Sequence, residues 1–282
     1  MKKIFWILML FCFCTSTALQ GQILSYGFKT GLSWSSYLGD NTQFESFDNR
    51  LGFHLGVIVK YKVTDIFGVS AELLYSQKGM SYQYDGNSFF LVQRPTGSEV
   101  LLEGIRKMDV TVANDFLDVP VNAYVRAGPF EFSAGLNIGI LVGSSAGGQF
   151  DFTGTRPPTE LLDFNLDHRY FGQEPGEAVG PNFVTALLGG EQIAVALQHG
   201  AYFEYEKKDG NRYRGIDLGL NAGISFYLND GLFLGLRANY GLIDATREQM
   251  DIRYDQFSGN YPSFQNDKDR TFALQLSLGF AF

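Results

Sequence analysis

The one histidine that falls on a strand of this sequence, His54, has the neighbours that ester chemistry would call for. Ser33, Ser35 and Glu72 lie on adjoining strands and share its face. A hydrolase needs a nucleophilic hydroxyl, a base beside it and a carboxylate to orient the base. A lipid-modifying enzyme of the envelope would hold that group at the lipid-facing side, where the acyl chain lies. His54 points to the opposite face, so the expectation is a hydrogen-bonded lumen histidine and no catalytic residue. His168 and His199 sit in a long connection without metal-ligand spacing. H-E-x-x-H, G-x-S-x-G and P-loop patterns do not occur. The loop carboxylates Asp151, Asp163, Asp167, Asp251, Asp255, Asp267 and Asp269 are of the type that binds Ca²⁺ or bridges lipopolysaccharide through divalent ions. None has the spacing of a calcium loop, so a solvated surface is expected, with no metal and no cofactor.

The elements that position these residues are strands. In residues 271–282, Phe272, Leu274, Leu276, Leu278, Phe280 and Phe282 alternate with Thr271, Ala273, Gln275, Ser277, Gly279 and Ala281. Period two means a strand, with one wholly apolar face and one small or polar face. The same alternation predicts strands over 26–35, 52–63, 67–77, 116–126, 130–141, 216–228 and 232–242. Pro120 falls in mid-strand, where a missing donor calls for a bulge or kink. The connections alternate in length. The second, fourth and sixth are turns of two or three residues; the first, third, fifth and seventh are long.

A soluble β protein would turn the apolar faces inward on a core, but it has no reason to alternate short and long connections. Turning those faces outward fits a membrane barrel, which keeps its polar face inside. The fold class read from the pattern is all-β: a transmembrane antiparallel up-and-down β-barrel of eight strands with long extracellular loops. Its lumen then receives Lys29, His54, Lys60, Glu72, Asp118, Glu131 and Arg237. These form a structural polar network, since charges in a narrow interior must neutralise one another. Eight strands leave a lumen that side chains nearly fill, too narrow for a general pore. Aromatic residues group at the two rims, as membrane girdles do. Tyr26, Phe28, Tyr61, Phe67, Phe130, Phe226, Phe280 and Phe282 fall at one end; Trp34, Phe53, Tyr75, Tyr240 and Phe272 fall at the other. Phe280 and Phe282 are read as the C-terminal signal for the barrel-insertion machinery.

The connection over 142–214 is the longest, and is read as an extracellular loop or lobe. Within it Ile193, Val195, Leu197, Ala201, Phe203 and Tyr205 nearly keep period two, Asp209–Gly210 suits a hairpin turn, and 183–188 reads as another strand. Ten strands are therefore the alternative. Residues 186–188 and 193–197 are candidate apolar patches for a protein partner.

Residues 1–21 read as a secretory signal: Lys2 and Lys3, an apolar stretch over 4–13, then small residues. That leaves 22–282 as a single barrel domain. Cys12 and Cys14 both fall in the signal, so the exported chain is expected to have no thiol chemistry. Without Lys2 and Lys3, 20 basic residues face 30 acidic ones, a net −10 that disfavours nucleic-acid binding. No later apolar run is long enough for a transmembrane helix.

The segments GFHLGVIVKYKV, VSAELLYSQKG, FLDVPVNAYV and GIDLGLNAGISFYLNDGLFLGLRANYGL resemble the PorT-like outer-membrane β-barrel family of Gram-negative bacteria. The resemblance covers about half of the chain, its strands and not its long loops. It implies residence in the outer membrane, contact with outer-membrane lipid and lipopolysaccharide, and an accessory or scaffold role in a cell-envelope or protein-secretion assembly. The long fifth connection departs from the compact members, so the resemblance names no partner. A surface adhesin, a weak channel and a lipid-modifying enzyme are the other readings.

Overall fold

The computed structural model describes residues 24–39, 44–93, 99–177, 179, 183–188, 191–259 and 261–282. The expected signal, with Cys12 and Cys14, lies outside the described residues. The strands are β1 (Leu24–Leu38), β2 (Glu45–Lys62), β3 (Phe67–Gln93), β4 (Glu99–Ala127), β5 (Phe130–Arg156), β6 (Leu162–Arg169), β7 (Phe183–Leu188), β8 (Glu191–Ala196), β9 (Gln198–His199), β10 (Ile216–Tyr227), β11 (Leu232–Gly241), β12 (Ile252–Ser258), β13 (Tyr261–Phe264) and β14 (Arg270–Ala281). Among the described residues no helix is long and apolar enough to cross a membrane.

Eight of these strands close a ring in the order β1-β2-β3-β4-β5-β10-β11-β14, and β14 returns to β1. Every neighbouring pair in the ring is antiparallel. The ring is the eight-stranded form, not the ten-stranded one. Strands β6 and β9 hang on β5 outside the ring, and β7 with β8 makes a separate hairpin. That hairpin is 183–188 with 191–196; Asp209–Gly210 joins no strands. Three tight turns lie at one end. One is Gly128–Pro129, where Gly128 has φ 59°, a left-handed value that suits glycine. In another, the Asn229 side chain accepts from the amides of Gly231 (3.0 Å) and Leu232 (2.7 Å). By the usual plan of such barrels the short turns are periplasmic and the other end is extracellular.

Within the ring the outward face is apolar. Phe28, Leu32, Leu55, Val57, Leu73, Val121, Phe132, Leu136, Ile138, Leu220, Leu234 and Leu278 are all exposed. The inward face is polar and buried: Lys29, Ser33, His54, Glu72, Asp118, Glu131, Asn137, Asp217, Asn221 and Gln275. The pleat sends successive side chains to opposite faces, so this sorting follows directly from the period-two sequence. The short-turn end is closed by Ile58, Tyr227 and Phe233. A Cβ at Gly279 would run into the Phe233 ring, so the small residue lets that ring lie across the lumen.

The long connections are the main departure from expectation. Residues 78–93 and 99–114 are no loop: β3 and β4 run on as paired strands from Lys78 opposite Asn114 to Gln93 opposite Glu99. Likewise β5 continues to Arg156, so 142–214 begins as strand. Strand β3 has 27 residues, about three times the 9–11 a membrane strand needs. The reason is an exchange of faces. On β3 the outward side reads Phe67, Val69, Ala71, Leu73, Tyr75, then Gln77, Ser81, Gln83, Asp85. The inward side reads Ser70, Glu72, Ser76, Lys78, then Met80, Tyr82, Tyr84, Phe90. Past the membrane the ordinary soluble rule returns. The inward faces of β3, β4, β5 and β6 bury an aromatic core that includes Tyr82, Phe90, Leu102, Phe150, Phe152, Phe164, Tyr170, Tyr202 and Met250.

Pro120 is held without the expected bulge. It stays in register opposite Asn137 of β5. On its other side the β3–β4 ladder skips from Ala71 opposite Val121 to Leu74 opposite Asp118, and the missing donor falls in that gap. Bulges occur instead at the level of the face exchange, between Asp115 and Phe116 and between Asn49 and His54. Barrel rims are their usual place.

Candidate functional site

Strand register carries charged side chains into the lumen in tiers. Nearest the tight turns, Lys60 of β2 donates to Glu131 of β5 at 2.5 Å and to the Tyr227 hydroxyl at 2.6 Å. Its ammonium also lies 5.1–5.5 Å from the rings of Tyr124, Tyr227 and Phe233. In the next tier Glu72 of β3 receives Lys29 at 2.6 Å and is clasped through both oxygens by Arg237. Higher again, Lys78 bridges Asp118 (3.0 Å) and Asp217 (3.3 Å). Asn137 donates to Asp118 at 3.0 Å and Thr271 to Asp217 at 3.2 Å. Lys29, Lys60, Lys78 and Arg237 thus balance Glu72, Asp118, Glu131 and Asp217. Buried charges are tolerated when paired and hydrogen-bonded in this way.

Lys78 and Asp217 were missed from the sequence. Lys78 was assigned to a connection, yet it keeps the parity of Ser70, Glu72 and Ser76. Asp217 has the inward parity of Gly219 and Asn221. Extending the strand over 67–77 by one residue finds Lys78, whereas Asp217 already lies on the inward face of the strand over 216–228 and needed only to be counted with the lumen charges.

His54 is fully enclosed, with no exposed surface. Its Nδ1 is 3.2 Å from Ser33 Oγ and its Nε2 is 2.8 Å from Ser277 Oγ. Ser35 is elsewhere, exchanging hydrogen bonds with the backbone of Gly79. Glu72 is engaged by Lys29 and Arg237. The four candidate residues therefore form no triad, because no carboxylate orients the imidazole. Phe280 lies outward near Phe28, with ring centroids 6.3 Å apart, and Phe282 is tied to β1 by two backbone hydrogen bonds with Tyr26.

The lobe beyond the rim has its own polar centre. Arg106 of β4, fully buried, pairs with Glu204, donates to the Phe89 carbonyl at 2.9 Å, and lies over the rings of Tyr254 (4.2 Å) and Phe150 (4.7 Å). His199 stacks on Phe203 with centroids 3.7 Å apart and meets the Phe164 ring at a tilt, with centroids 4.6 Å apart. Burial first, and Arg106 second, push His199 down to about 3. His168 is 3.2 Å from the Tyr170 hydroxyl.

The loop carboxylates divide. Asp151 and Asp163 are direct cross-strand partners on the outward face of the lobe sheet, and Asp255 pairs with Arg253 at 3.0 Å. Asp167 is 3.5 Å from Arg169 at the surface. Asp251, Asp267 and Asp269 converge, with one oxygen of each within 4.8 Å of the others. Asp251 and Asp269 are buried, which overturns the solvated surface expected for them. The segment folds back because the Gln265 amide donates to the Asp251 carbonyl (2.7 Å) and the Asp269 amide to Asp244 (3.1 Å). Of the expected apolar patches, Ala186, Ile193, Val195 and Ala196 are buried in the lobe, whereas Leu187 is exposed beside Phe183 and Val184.

Residues 20–247 match the family model described as outer membrane protein beta-barrel domain. No protein of curated function matches the sequence. Among solved structures the chain is similar to Ail, the attachment invasion locus protein of Yersinia pestis, at 10% identity over 92% of this chain and 98% of that one, with a TM-score of 0.35. It is also similar to Neisserial surface protein A (11% identity, 91% and 97% of the two chains, TM-score 0.33). OprG from Pseudomonas aeruginosa shares 11% identity over 92% of this chain and 95% of its own, with a TM-score of 0.32.

Proposed function

Because the chain belongs to the outer membrane protein β-barrel domain family, we propose that it is a non-enzymatic accessory or scaffold subunit of a cell-envelope assembly. The barrel anchors it in the outer membrane of a Gram-negative bacterium, in contact with lipid and lipopolysaccharide. The lobe docks another envelope protein. The observation that carries this reading is how the chain divides its apolar residues. Beyond the membrane it buries a full aromatic core to hold a rigid lobe, yet leaves Phe183, Val184 and Leu187 exposed on the β7–β8 hairpin. Exposed apolar groups of this kind mark contact surfaces. The resemblance to PorT-like barrels supports a secretion complex as the setting. The lumen supports an anchor better than a channel, since paired charges and the Phe233 ring fill it. The enclosure of His54 speaks against a lipid enzyme, which needs an accessible base.

The test is crosslinking in intact cells followed by mild-detergent recovery of a tagged copy. A stoichiometric protein that is recovered with the wild type and lost with Leu187→Glu supports docking through the hairpin. A lone barrel in both would overturn it. The enzyme reading makes its own demand. His54→Ala is expected to leave lipid A and phospholipid unchanged, and an altered lipid profile would reinstate it.

A further inference from the structure

We propose that the segment between β11 and β14 holds a divalent cation of the calcium class on Asp251, Asp267 and Asp269. The three side chains flank the two-stranded β12–β13 sheet of this segment. Asp251 stands just before β12, and Asp267 and Asp269 just before β14. One carboxylate oxygen of each lies within 4.8 Å of the other two. A second observation points to a ligand. Asp269 is only 3% exposed, its Oδ2 accepts from Thr246 Oγ1 at 3.2 Å, and its Oδ1 has no hydrogen-bond partner. Buried polar groups are nearly always satisfied, and a buried carboxylate oxygen is a costly one to leave unmatched.

Charge reinforces the point. With all three ionised, as a bound cation would hold them, the carboxylates sum to −3, and Arg212, which donates to Asp251 at 3.1 Å, returns +1. The nearby Arg214 is committed to Asp244 at 3.4 Å. A remainder of −2 in a buried place matches one divalent ion. The donors are all oxygens, the set that hard cations take; softer metals would want imidazole or thiolate. Three carboxylates from a folded-back loop, completed by water or carbonyls, suit the irregular shell of Ca²⁺ better than the strict octahedron of Mg²⁺. The ion would tie the segment carrying β12 to the first residues of β14, and so fasten the lobe to the barrel rim. This inference stands apart from the docking role and survives if that role fails.

The experiment uses the full chain, refolded in detergent and freed of metal with a chelator. Tb³⁺ is titrated in while tyrosine is excited, since Tyr205, Tyr213 and Tyr254 are part of the same buried cluster as the loop. Saturable emission that Ca²⁺ displaces is expected. Asp267→Asn, which leaves the Arg212 pair intact, should weaken binding about tenfold or more by removing one charged ligand. Asp255→Asn, whose carboxylate is paired with Arg253, should bind as the wild type does. Heat-dependent gel mobility checks that each barrel is folded. Absence of saturable emission from the wild type would overturn the site, as would equal affinity in Asp267→Asn. Should Asp267→Asn fail to fold, the wild type alone decides. Ca²⁺ raises its thermal midpoint and chelator lowers it, and no response to either would overturn the site.

Discussion

Glu72 shows how much one residue holds in this lumen. Its carboxylate is the shared partner of Lys29 and Arg237, and all three are buried. Glu72→Gln keeps the shape and strands two cations, so it should cost about 3–5 kcal/mol, the range for breaking a buried pair from one side. Urea unfolding of the refolded barrel, followed by gel mobility, measures this. A loss below about 1 kcal/mol would mean the charges are solvated in place. His199 gives a pH-dependent counterpart in the lobe. Its folded pKa is pushed down to about 3, from an unfolded value of about 6.5. The folded lobe therefore binds fewer protons than the unfolded chain between these values. Its stability is undiminished above about pH 6.5 and falls as pH drops toward 3. His199→Phe, which suits a cage of Phe90, Phe150, Phe164 and Phe203, should make that decline shallower in a proteolysis assay run across pH, leaving the share of His168, which burial also pushes down to about 3. A decline of the same steepness in the variant would remove His199 as its cause. Lumen residues such as Lys29 and Glu72 were readable because a single strand's parity exposes them. The pairing of Asp251 with Asp269 was not, because it depends on how a loop folds back.

At the scale of elements, the strands inside the membrane were legible almost residue by residue, and their continuations were not. An outward apolar face was the criterion, and it ends at Tyr75 on β3 and at Leu117 on β4. Beyond those residues the alternation continues with its faces exchanged. Read with one fixed rule, Met80, Tyr82 and Tyr84 looked like loop. Read with the soluble rule, they are the buried side of the same strand. The lobe therefore stands on its own packing. Phe164→Ala, at a fully buried position, should cost the lobe about 3–5 kcal/mol. Protease added to intact cells should then cut within 142–214 while the membrane strands stay protected. Cleavage of the strands as well would show that lobe and barrel unfold as one unit.

For the whole molecule, the alternation of tight turns and long connections was enough to give the up-and-down ring, while the choice of eight strands over ten rests on the β7–β8 hairpin lying outside it. It did not reveal that the long connections build a second core. The two halves obey opposite rules because their surroundings differ. Lipid takes apolar side chains outward and leaves charges to pair in the lumen, whereas water reverses both preferences. The claim on which everything else depends is that this reversal occurs along single strands at the extracellular rim. It is tested most directly by placing lone cysteines on β3 and labelling intact cells with a membrane-impermeant maleimide. Both natural cysteines, Cys12 and Cys14, fall in the expected signal. Cysteine at Gln83 or Asp85 should label readily, and cysteine at Leu73 or Tyr82 should not. Labelling at Leu73 would place that face in water, and labelling at Tyr82 would open the lobe core; either result would contradict the exchange of faces.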